Sequence, residues 1–309
     1  MIEASILIPT KNGEEYVDAC LSAIYGQKQV GAFEVIMVDS GSTDATLEIA
    51  RRYPVRIWEI APESFHHART RNYAASLASG EIFVCLSMDA IPASDLWLSA
   101  LLTNFKDPSV GAVYGRQLPK IGAKSERRQV FDALYGESRL VKRPGDGAKL
   151  GYKYYHFSDA NAAIRSDVWR ATRFPEDLKV FEDVGIAKRI LDAGWSIVYE
   201  PQAAVYHSHD FPFRTLFKRY FDIGVVYQRL GIWNRDSRRS IRSAGWRALK
   251  DRARALLAGQ PALKNTDEPL GFYSILTAAG KFIAMELGRH ERWLPLFLKR
   301  RLSQYQLFD

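Results

Sequence analysis

The sequence has few cysteines and no long hydrophobic run, and both absences exclude classes of protein. Only two cysteines occur among the 309 residues, Cys20 and Cys85, so there is neither a disulfide framework nor a cysteine spacing that binds metal. No apolar stretch reaches about 18 residues, and the best candidate, residues 273–287, is interrupted by Lys281 and Glu286. These features predict a protein of the reducing cytosol that has no membrane-spanning helix.

Several short motifs are also absent. The first ten residues, MIEASILIPT, lack a basic amino-terminal region and therefore do not predict a secretory signal peptide. The sequence contains no GxGxxG, no P-loop and no GxSxG. This argues against a dinucleotide oxidoreductase, a P-loop NTPase and an α/β-hydrolase.

Positive charge is concentrated in the last third of the chain. Residues 1–212 carry 24 basic and 27 acidic side chains, whereas residues 213–309 carry 19 basic and 8 acidic ones. A hydrophobic content of 47% and a charged content of 25% are ordinary for a globular protein. The carboxyl-terminal region therefore favours an anionic partner, and nucleic acid, anionic lipid and phosphate-bearing ligands all fit this charge.

Short apolar runs alternate with helical patterns through residue 115. This alternation predicts an α/β fold with a Rossmann-like, mostly parallel sheet and helices on both faces. In such sheets ligands bind at the carboxyl ends of the strands, which is where Thr10, Asp39 and Asp89 lie. The predicted strands are 4–9, 33–38, 55–60, 82–86 and 110–115. The predicted helices are 16–25, 68–79 and 95–105, and a further helix capped by Ser42 or Thr43 that runs to about Arg52.

The pattern becomes less regular after residue 116. Residues 142–153, rich in glycine and lysine, predict a loop that either closes over a ligand or is a plain insertion. Strands are predicted at 196–200 and 203–206, a helix precedes them at 183–193, and only helical patterns follow residue 211. We therefore expect two domains, an α/β domain at 1–210 and a basic helical region at 211–309.

Each group of polar residues in these segments has two interpretations. Asp39, followed by small residues, could accept hydrogen bonds from a base or ribose, or could belong to a helix start. Asp89 could hold Mg²⁺ or Mn²⁺ against a diphosphate, or could simply begin a helix. Of Glu182 and Asp183, one could be a general base, or both could favour the positive end of a helix dipole.

Histidine and arginine residues form two further groups. His207 and His209 alternate along a strand and so share one face. This suits a pair of metal ligands, one metal ligand with one phosphate donor, or an exposed strand end. The segment 66–72, which contains Arg71 and Asn72, suits phosphate binding at a helix start, or a solvated helix start.

Taken together, the segments IPTKN, VDSGSTD, ARTRN, GEIFVCLSMDA, FED and AVYHSH resemble inverting glycosyltransferases of family 2, which have the GT-A fold. The resemblance covers about residues 4–210. It implies that a nucleotide-sugar donor is bound by the residues that match its motifs, which are Pro9, Thr10, Asp39, Arg71, Asn72 and Asp89.

The resemblance also implies a cofactor and a catalytic base. The DxD motif of the family falls on residues 87–89, so its first aspartate is Ser87 here and Asp89 is retained. Asp89 and His207, with His209 in reserve, would hold Mg²⁺ or Mn²⁺. Asp183, next to Glu182, takes the place of the base that removes the proton from the acceptor hydroxyl.

The segment SMDAIP resembles the version found in bacterial rhamnosyltransferases, in which glutamine usually stands where Met88 is here. This implies dTDP-L-rhamnose as donor and a glycan, or a sugar on a polyprenyl diphosphate, as acceptor in surface polysaccharide synthesis. The alternatives are a UDP-hexose or UDP-HexNAc donor, and a non-catalytic protein that binds sugar nucleotides.

The basic segment 213–258 carries twelve lysine or arginine residues against three acidic ones, with Trp233 and Trp246 among them. This pattern is typical of a helix at an anionic membrane surface, but it also fits a solvated helical face or an oligomer contact. No recognition motif for nucleic acid accompanies the charge, which argues against that partner. We therefore expect a cytoplasmic protein, peripheral on the inner face of the membrane if the segment binds lipid.

Overall fold

The computed structural model describes residues 2–120, 135–209, 211–233 and 272–308, and the single positions 243, 250 and 254. These residues belong to two compact units. The first contains 2–120, 135–144 and 156–208, and the second contains 145–155, the described residues from 209 to 254, and 272–308. The predicted domain boundary at residue 210 stays a prediction.

In the first unit, strands and helices alternate up to residue 118. The strands are β1 (Ala4–Thr10), β2 (Phe33–Asp39), β3 (Arg56–Glu59), β4 (Ile82–Leu86), β5 (Ile91–Pro92), β6 (Val110–Leu118), β7 (Leu140–Lys142), β8 (Asn161–Arg165) and β9 (Ser196–Tyr206). The helices are α1 (Val17–Tyr25), α2 (Thr46–Ala50), α3 (His67–Ser76), α4 (Trp97–Thr103), α6 (Ser166–Thr172) and α7 (Glu182–Asp192). Helix α5 (Gly147–Leu150) belongs to the second unit.

All of these strands join one sheet in the order β3-β2-β1-β4-β8-β6-β9-β5, with β7 paired to β9. The first four strands are parallel, as predicted. Strand β8 is antiparallel to both β4 and β6, while β6 and β9 are parallel to each other. The α/β class is confirmed, and the sheet is mixed beyond β4 because β8 runs against its neighbours.

The direction of β8 determines which residues reach the ligand-binding edge. Since β8 is antiparallel to β4 and β6, the carboxyl ends of β1, β2, β4, β6 and β9 share one edge of the sheet. The amino end of β8 reaches the same edge, where Asn161 pairs with Leu86. Residues just before β8 therefore lie beside residues just after β4.

A register shift between Gly115 and Gln117 interrupts the pairing of β6 with β9 near this edge. Such bulges change the direction of the side chains that follow. Only glycine fits at the first position, because a Cβ on Gly115 would lie 2.0 Å from the carbonyl oxygen of Ala203. After the shift Gln117 pairs with Val205, two residues before His207.

One predicted helix and two predicted strands differ from the structure. The helix expected from Ser42 or Thr43 to about Arg52 is only α2, Thr46–Ala50. It starts late because Ser42 hydrogen-bonds Asp39, and the backbone N–H of Thr43 donates to Asn12. The strands expected at 196–200 and 203–206 are one continuous strand, β9.

The segment 142–153, predicted as a loop without regular elements, contains short ones. After Lys142, which ends β7, the second unit contributes the turn α5 (Gly147–Leu150) and a 3₁₀ helix, Gly151–Tyr154. Gly151, with φ of 58°, separates the two turns by adopting a conformation that favours glycine. Periodicity could not reveal turns of four residues, because each is too short to show a repeat.

The rest of the described second unit is helical, as predicted for the carboxyl-terminal region. Its helices are α8 (Phe213–Arg229), α9 (Phe272–Arg289) and α10 (Leu296–Leu302), with a 3₁₀ turn at Glu291–Trp293. Helices α8 and α9 pack closely, because a Cβ on Gly288 would lie 2.0 Å from the carbonyl oxygen of Phe221. No helix within the described ranges is both long and apolar enough to cross a bilayer.

Candidate functional site

Strands β1 and β2 end side by side at the carboxyl edge of the sheet. Thr10 and Asp39 are paired across the two strands, and both are buried, whereas Pro9 is partly exposed. Both the backbone N–H and the hydroxyl of Ser40 donate to the carbonyl oxygen of Thr10, at 3.0 and 3.1 Å. These bonds fix the relative positions of the two strand ends that were predicted to hold the nucleotide.

The Asp39 carboxylate is engaged by the loop that follows it. Its Oδ2 accepts hydrogen bonds from the backbone N–H groups of Gly41 and Ser42 at 2.9 and 2.8 Å, and its Oδ1 accepts from the Ser42 hydroxyl. The carboxylate thus orders the loop 40–42. Its predicted contact with a base or ribose stays a prediction.

Helix α3 brings Arg71 into a buried cluster of charges. The guanidinium of Arg71 donates to Glu182 Oε1 at 2.9 Å and to Asp159 Oδ1 at 3.0 Å, and its Nε lies 2.7 Å from Asp159 Oδ2. His67, one turn earlier on α3, has its Nδ1 3.8 Å from Glu182 Oε1. Glu182 is therefore a neighbour of Arg71, and Asp183 is the next residue on α7.

Two carboxyl groups near this arginine have raised pKa values. Burial raises the pKa of Asp159 to about 7. The charge of Arg71 lowers this pKa, and the charge of Glu182 raises it. Burial also raises the pKa of Asp183 well above its ordinary value, and the charges of Asp159 and Glu182 add to that increase. A carboxylate with a raised pKa is a stronger base, which is what removal of a proton from a hydroxyl requires.

The backbone just before these acids has an unusual conformation. Phe181, the residue before helix α7, has φ of 59° in the left-handed region, which bulky residues rarely adopt. The backbone N–H of Val184 donates to Asp183 Oδ1 at 2.7 Å, so the carboxylate is held against the backbone of the next residue. This local geometry holds Asp183 at the start of α7.

Asn72 performs a structural task. Its amide nitrogen donates to the Phe174 carbonyl and to Glu176 Oε1, at 3.0 and 2.9 Å. Its amide oxygen accepts from Trp169 Nε1 and from the Phe174 backbone N–H, both at 3.1 Å. These four bonds tie α3 to the segment after β8, and nucleotide binding by Asn72 stays a prediction.

Asp89 and His207 meet at the sheet edge as the sequence predicts. Asp89 Oδ1 lies 3.4 Å from His207 Nε2, and His207 Nδ1 lies 2.9 Å from Gln117 Oε1. The amide nitrogen of Gln117 in turn donates to Ser158 at 2.7 Å, which orients its oxygen toward the imidazole. Gln117 therefore favours a proton on His207 Nδ1 and a lone pair on Nε2, the arrangement that a metal ligand needs.

His209 follows His207 by two residues. Asp89, His207 and His209 each offer a ligand atom, and these atoms lie within 4.8 Å of one another. Two imidazole nitrogens and a carboxylate suit a divalent transition ion better than Mg²⁺, which prefers oxygen ligands. The residues present thus fit a divalent cation.

A lysine lies beside the candidate metal ligands Asp89, His207 and His209. Lys120 Nζ is 3.4 Å from Asp89 Oδ2, and it lies 3.9 Å from the centre of the Tyr16 ring. Met88 does not reach toward the group, because it packs on the loop after β1, where a Cβ on Gly13 would lie 1.6 Å from its terminal methyl carbon. Lys120 therefore places a positive charge next to the carboxylate of Asp89.

Sequence reasoning missed Asp159, Gln117 and Lys120. Asp159 precedes an antiparallel strand, whereas the candidates predicted at strand ends were residues that end or follow a strand. Gln117 and Lys120 lie at the end of β6, where a bulge and a turn change the direction of the side chains. The sequence motif FSDANAAIRSDVW contains Asp159, and a search for acids near each strand end could have found it.

Comparisons with known proteins identify a family and two relatives. The model of the family described as glycosyl transferase family 2 matches residues 5–172. The O-antigen chain rhamnosyltransferase WbaN of Salmonella anatum is 35% identical over 89% of this chain and 85% of its own. The O-antigen chain rhamnosyltransferase RfbN of Salmonella typhimurium is 31% identical over 99% of this chain and 96% of its own.

Solved structures share the fold. The mannosyltransferase PcManGT from Pyrobaculum calidifontis, in complex with GDP-Man and Mn²⁺, superposes with a TM-score of 0.64 at 19% identity, over 94% of this chain and 88% of its own. The Staphylococcus aureus protein TarS, residues 1–349, gives 0.57 at 18% identity, over 94% and 82%. These likenesses confirm the predicted GT-A fold class.

Proposed function

Because the chain belongs to glycosyl transferase family 2 and is a glycosyltransferase, we propose that it transfers L-rhamnose from dTDP-L-rhamnose during synthesis of an O-antigen chain. The acceptor is a hydroxyl group of a glycan or of a lipid-linked saccharide. The observation that carries this proposal is the likeness to two relatives named O-antigen chain rhamnosyltransferase, which extends over 89% and 99% of the chain.

The donor lies along the carboxyl edge of the sheet in this proposal. Pro9, Thr10 and Asp39 contact the nucleoside, and Asp89 lies at the diphosphate. Arg71 and Asn72 contribute indirectly, because both side chains are buried and hydrogen-bonded to protein groups. They fix the positions of α3 and of the acidic residues of α7 relative to the donor.

A divalent cation, Mn²⁺ by preference, would be held by Asp89 and His207, with His209 as the third side chain. When bound, the ion would offset the negative charge that develops on the diphosphate leaving group. Gln117 orients the His207 imidazole for this role. Lys120 contributes a second positive charge at the same place.

Asp183 is the general base of the proposed reaction. Its carboxylate takes the proton of the acceptor hydroxyl while the acceptor oxygen bonds to the anomeric carbon. The bond from that carbon to the diphosphate oxygen breaks in the same step, so the configuration inverts and no covalent sugar–enzyme intermediate forms. Glu182 positions Arg71 and supplies part of the negative field that raises the pKa of Asp183.

The place of action follows from the acceptor. A sugar on a polyprenyl diphosphate lies at the cytoplasmic leaflet, so the enzyme works there as a cytoplasmic protein that contacts the membrane peripherally. Arg238, Arg239 and Arg242, which belong to the basic segment that predicts lipid binding, lie outside the described residues.

A thermal-shift panel tests the donor. A ligand at about a hundred times its dissociation constant stabilises the folded state by about 2.7 kcal/mol. We expect dTDP-L-rhamnose with Mn²⁺ to raise the melting temperature more than UDP-glucose, UDP-GlcNAc or GDP-mannose does. A larger shift with a UDP-sugar would mean that the donor is that UDP-sugar and not dTDP-L-rhamnose. Inversion is tested separately, by determining the anomeric configuration of the product by NMR.

A further inference from the structure

The two most exposed large apolar side chains of the described residues lie four positions apart in the second unit. Trp293 is 75% exposed and Phe297 is 73% exposed, and Leu296 beside them is 48% exposed. They occupy a 3₁₀ turn that ends at Trp293 and the start of helix α10 at Leu296. Exposed apolar groups clustered in this way mark an interaction surface.

Positive charge surrounds these side chains. Arg292, Arg300 and Arg301 are exposed, and the guanidinium of Arg292 lies 5.6 Å from the centre of the Trp293 ring. On helix α10, Arg300 follows Leu296 by four residues and Arg301 follows Phe297 by four, so each pair shares one helix face. We call Arg292, Trp293, Leu296, Phe297, Arg300 and Arg301 the Trp293 patch.

The patch is held in place by contacts on its other side. Lys299 of α10 lies 2.7 Å from Glu291 of the preceding turn. After α10, the backbone N–H groups of Gln304 and Tyr305 donate to the buried carboxylate of Asp222 on α8, at 2.8 and 3.0 Å. The apolar side chains are therefore presented by an anchored segment, which lowers the entropy lost when they become buried in a partner.

We propose that the Trp293 patch inserts into the surface of an anionic membrane. Tryptophan and phenylalanine are suited to the boundary between headgroups and acyl chains, and nearby arginines are attracted to anionic headgroups. Arginine stems can also lie along apolar surface while the guanidinium stays hydrated. The mixture of aromatic and cationic groups therefore matches both layers of the membrane interface.

A second copy of the chain fits the patch poorly. In a symmetric dimer the same surface would face itself, and three arginines of one copy would meet three of the other. Docking to lipid rests on the membrane contact that belongs to the proposed function and assigns a surface to it, but it depends on neither the donor nor the metal of the transfer reaction. It identifies an attachment surface outside the segment 213–258, where the sequence concentrates charge.

Vesicle partitioning of the full-length protein tests the proposal. We expect binding to phosphatidylcholine vesicles only when they contain phosphatidylglycerol, with affinity that falls as salt rises and the Debye length shrinks from about 10 Å at 0.1 M to about 3 Å at 1 M. Trp293→Ala with Phe297→Ala should lower partitioning about tenfold. Arg300→Gln and Arg301→Gln should each lower it about fivefold.

Matched controls come from the first unit. Leu96→Ala removes another exposed apolar side chain, which is 41% exposed, and Arg51→Gln removes an exposed charge. Neither should change partitioning. The donor-induced thermal shift should be the same in all of these variants, so a failure of the docking proposal and a failure of the proposed function are separate results.

An environment-sensitive probe tests insertion directly. Both native cysteines are buried, at 1% and 2% exposure, so Phe297→Cys creates the accessible thiol for labelling. A nitrobenzoxadiazole label there should shift its emission to the blue on anionic vesicles, whereas the same label at Leu96→Cys should not. Equal binding to neutral vesicles, unchanged partitioning of the double aromatic variant, or self-association that Phe297→Ala abolishes would each overturn the proposal.

Discussion

In the first unit a buried arginine, Arg71, lies between two buried carboxylates, whereas in the second unit the buried carboxylate of Asp222 accepts two backbone N–H groups. The first arrangement leaves Asp183 next to a cluster of charges, with its pKa raised. The second joins the end of the chain to helix α8. Buried charge would therefore serve the proposed reaction in the first unit, whereas it anchors a segment in the second.

The two units also differ in what they present outward. In the first, the polar groups converge on one edge of a sheet, where Asp89 and His207 meet. In the second, Trp293 and Phe297 are presented to solvent among arginines. This comparison predicts that variants of the first unit change chemistry and donor binding, while variants of the Trp293 patch change only attachment.

The largest effect is expected at Asp183. Asp183→Asn removes the proposed base and should lower kcat by about 10²–10⁴, while donor binding stays nearly intact. In the wild type, protonation of Asp183 removes the base, so activity should fall as pH decreases through a pKa well above 3.8. Rates with a soluble acceptor, measured across pH, check both expectations.

Glu182→Gln is the comparison for this variant. It weakens the pair with Arg71 but keeps the amide oxygen as an acceptor, so its loss of rate should be smaller. If Asp183→Asn kept near wild-type turnover and Glu182→Gln were inactive, the base would be Glu182 instead.

The second effect is on stability and concerns Arg71. Arg71→Met leaves Asp159 and Glu182 buried without their cation, which should cost about 3–5 kcal/mol of unfolding free energy. The pKa of Asp159 is already raised to about 7 and should rise further in the variant. The stability of the variant should therefore decrease as pH rises from about 4 through that higher pKa. Arg56→Met, which breaks a partly exposed pair with Glu34, should cost about 1 kcal/mol or less. Equal losses in urea titrations would contradict this account.

Parallel strand ends were the part of the site that could be predicted from the sequence. Apolar runs ending on Asp39 and just before Asp89 indicate both the strands and the edge where they meet, and the structure pairs Thr10 with Asp39 accordingly. Asp159 could not be placed in this way. Its strand is antiparallel, and strand direction depends on tertiary pairing that no local pattern records.

The helical region shows a different limit. Periodicity predicts helices there, and α8, α9 and α10 confirm them in the described residues. Periodicity does not reveal which apolar side chains stay uncovered, because that depends on how helices pack. The number of basic residues led to the prediction of lipid binding for 213–258. Trp293 and Phe297 lie outside that segment, in a stretch where arginine and apolar residues are mixed.

The third prediction concerns Asp222, whose pKa is raised to about 6 by burial. A carboxyl group whose pKa is raised on folding stabilises the fold at low pH, and this contribution is lost as pH rises from about 4 through 6. Asn still accepts the N–H groups of Gln304 and Tyr305, so Asp222→Asn should remove this pH dependence, a difference on the order of 2 kcal/mol. Asp222→Ala should instead be less stable at every pH. Identical pH profiles for the wild type and Asp222→Asn in denaturant titrations would refute the assignment.

The smallest expected effect is at Lys120, which lies beside the candidate metal ligand Asp89. Its ammonium lies 3.4 Å from Asp89, so it competes with a cation for that carboxylate and also attracts a diphosphate. Lys120→Met should therefore increase Mn²⁺ affinity about fivefold in calorimetry without nucleotide, since a nearby charge of this kind contributes about 1 kcal/mol. The same variant should bind dTDP less tightly when Mn²⁺ is absent. Lys28→Met, which removes an exposed lysine paired with Asp95, should change neither value. If Lys120→Met left both affinities unchanged, Lys120 would serve only to pack on Tyr16, and the diphosphate would depend on the metal ligands alone.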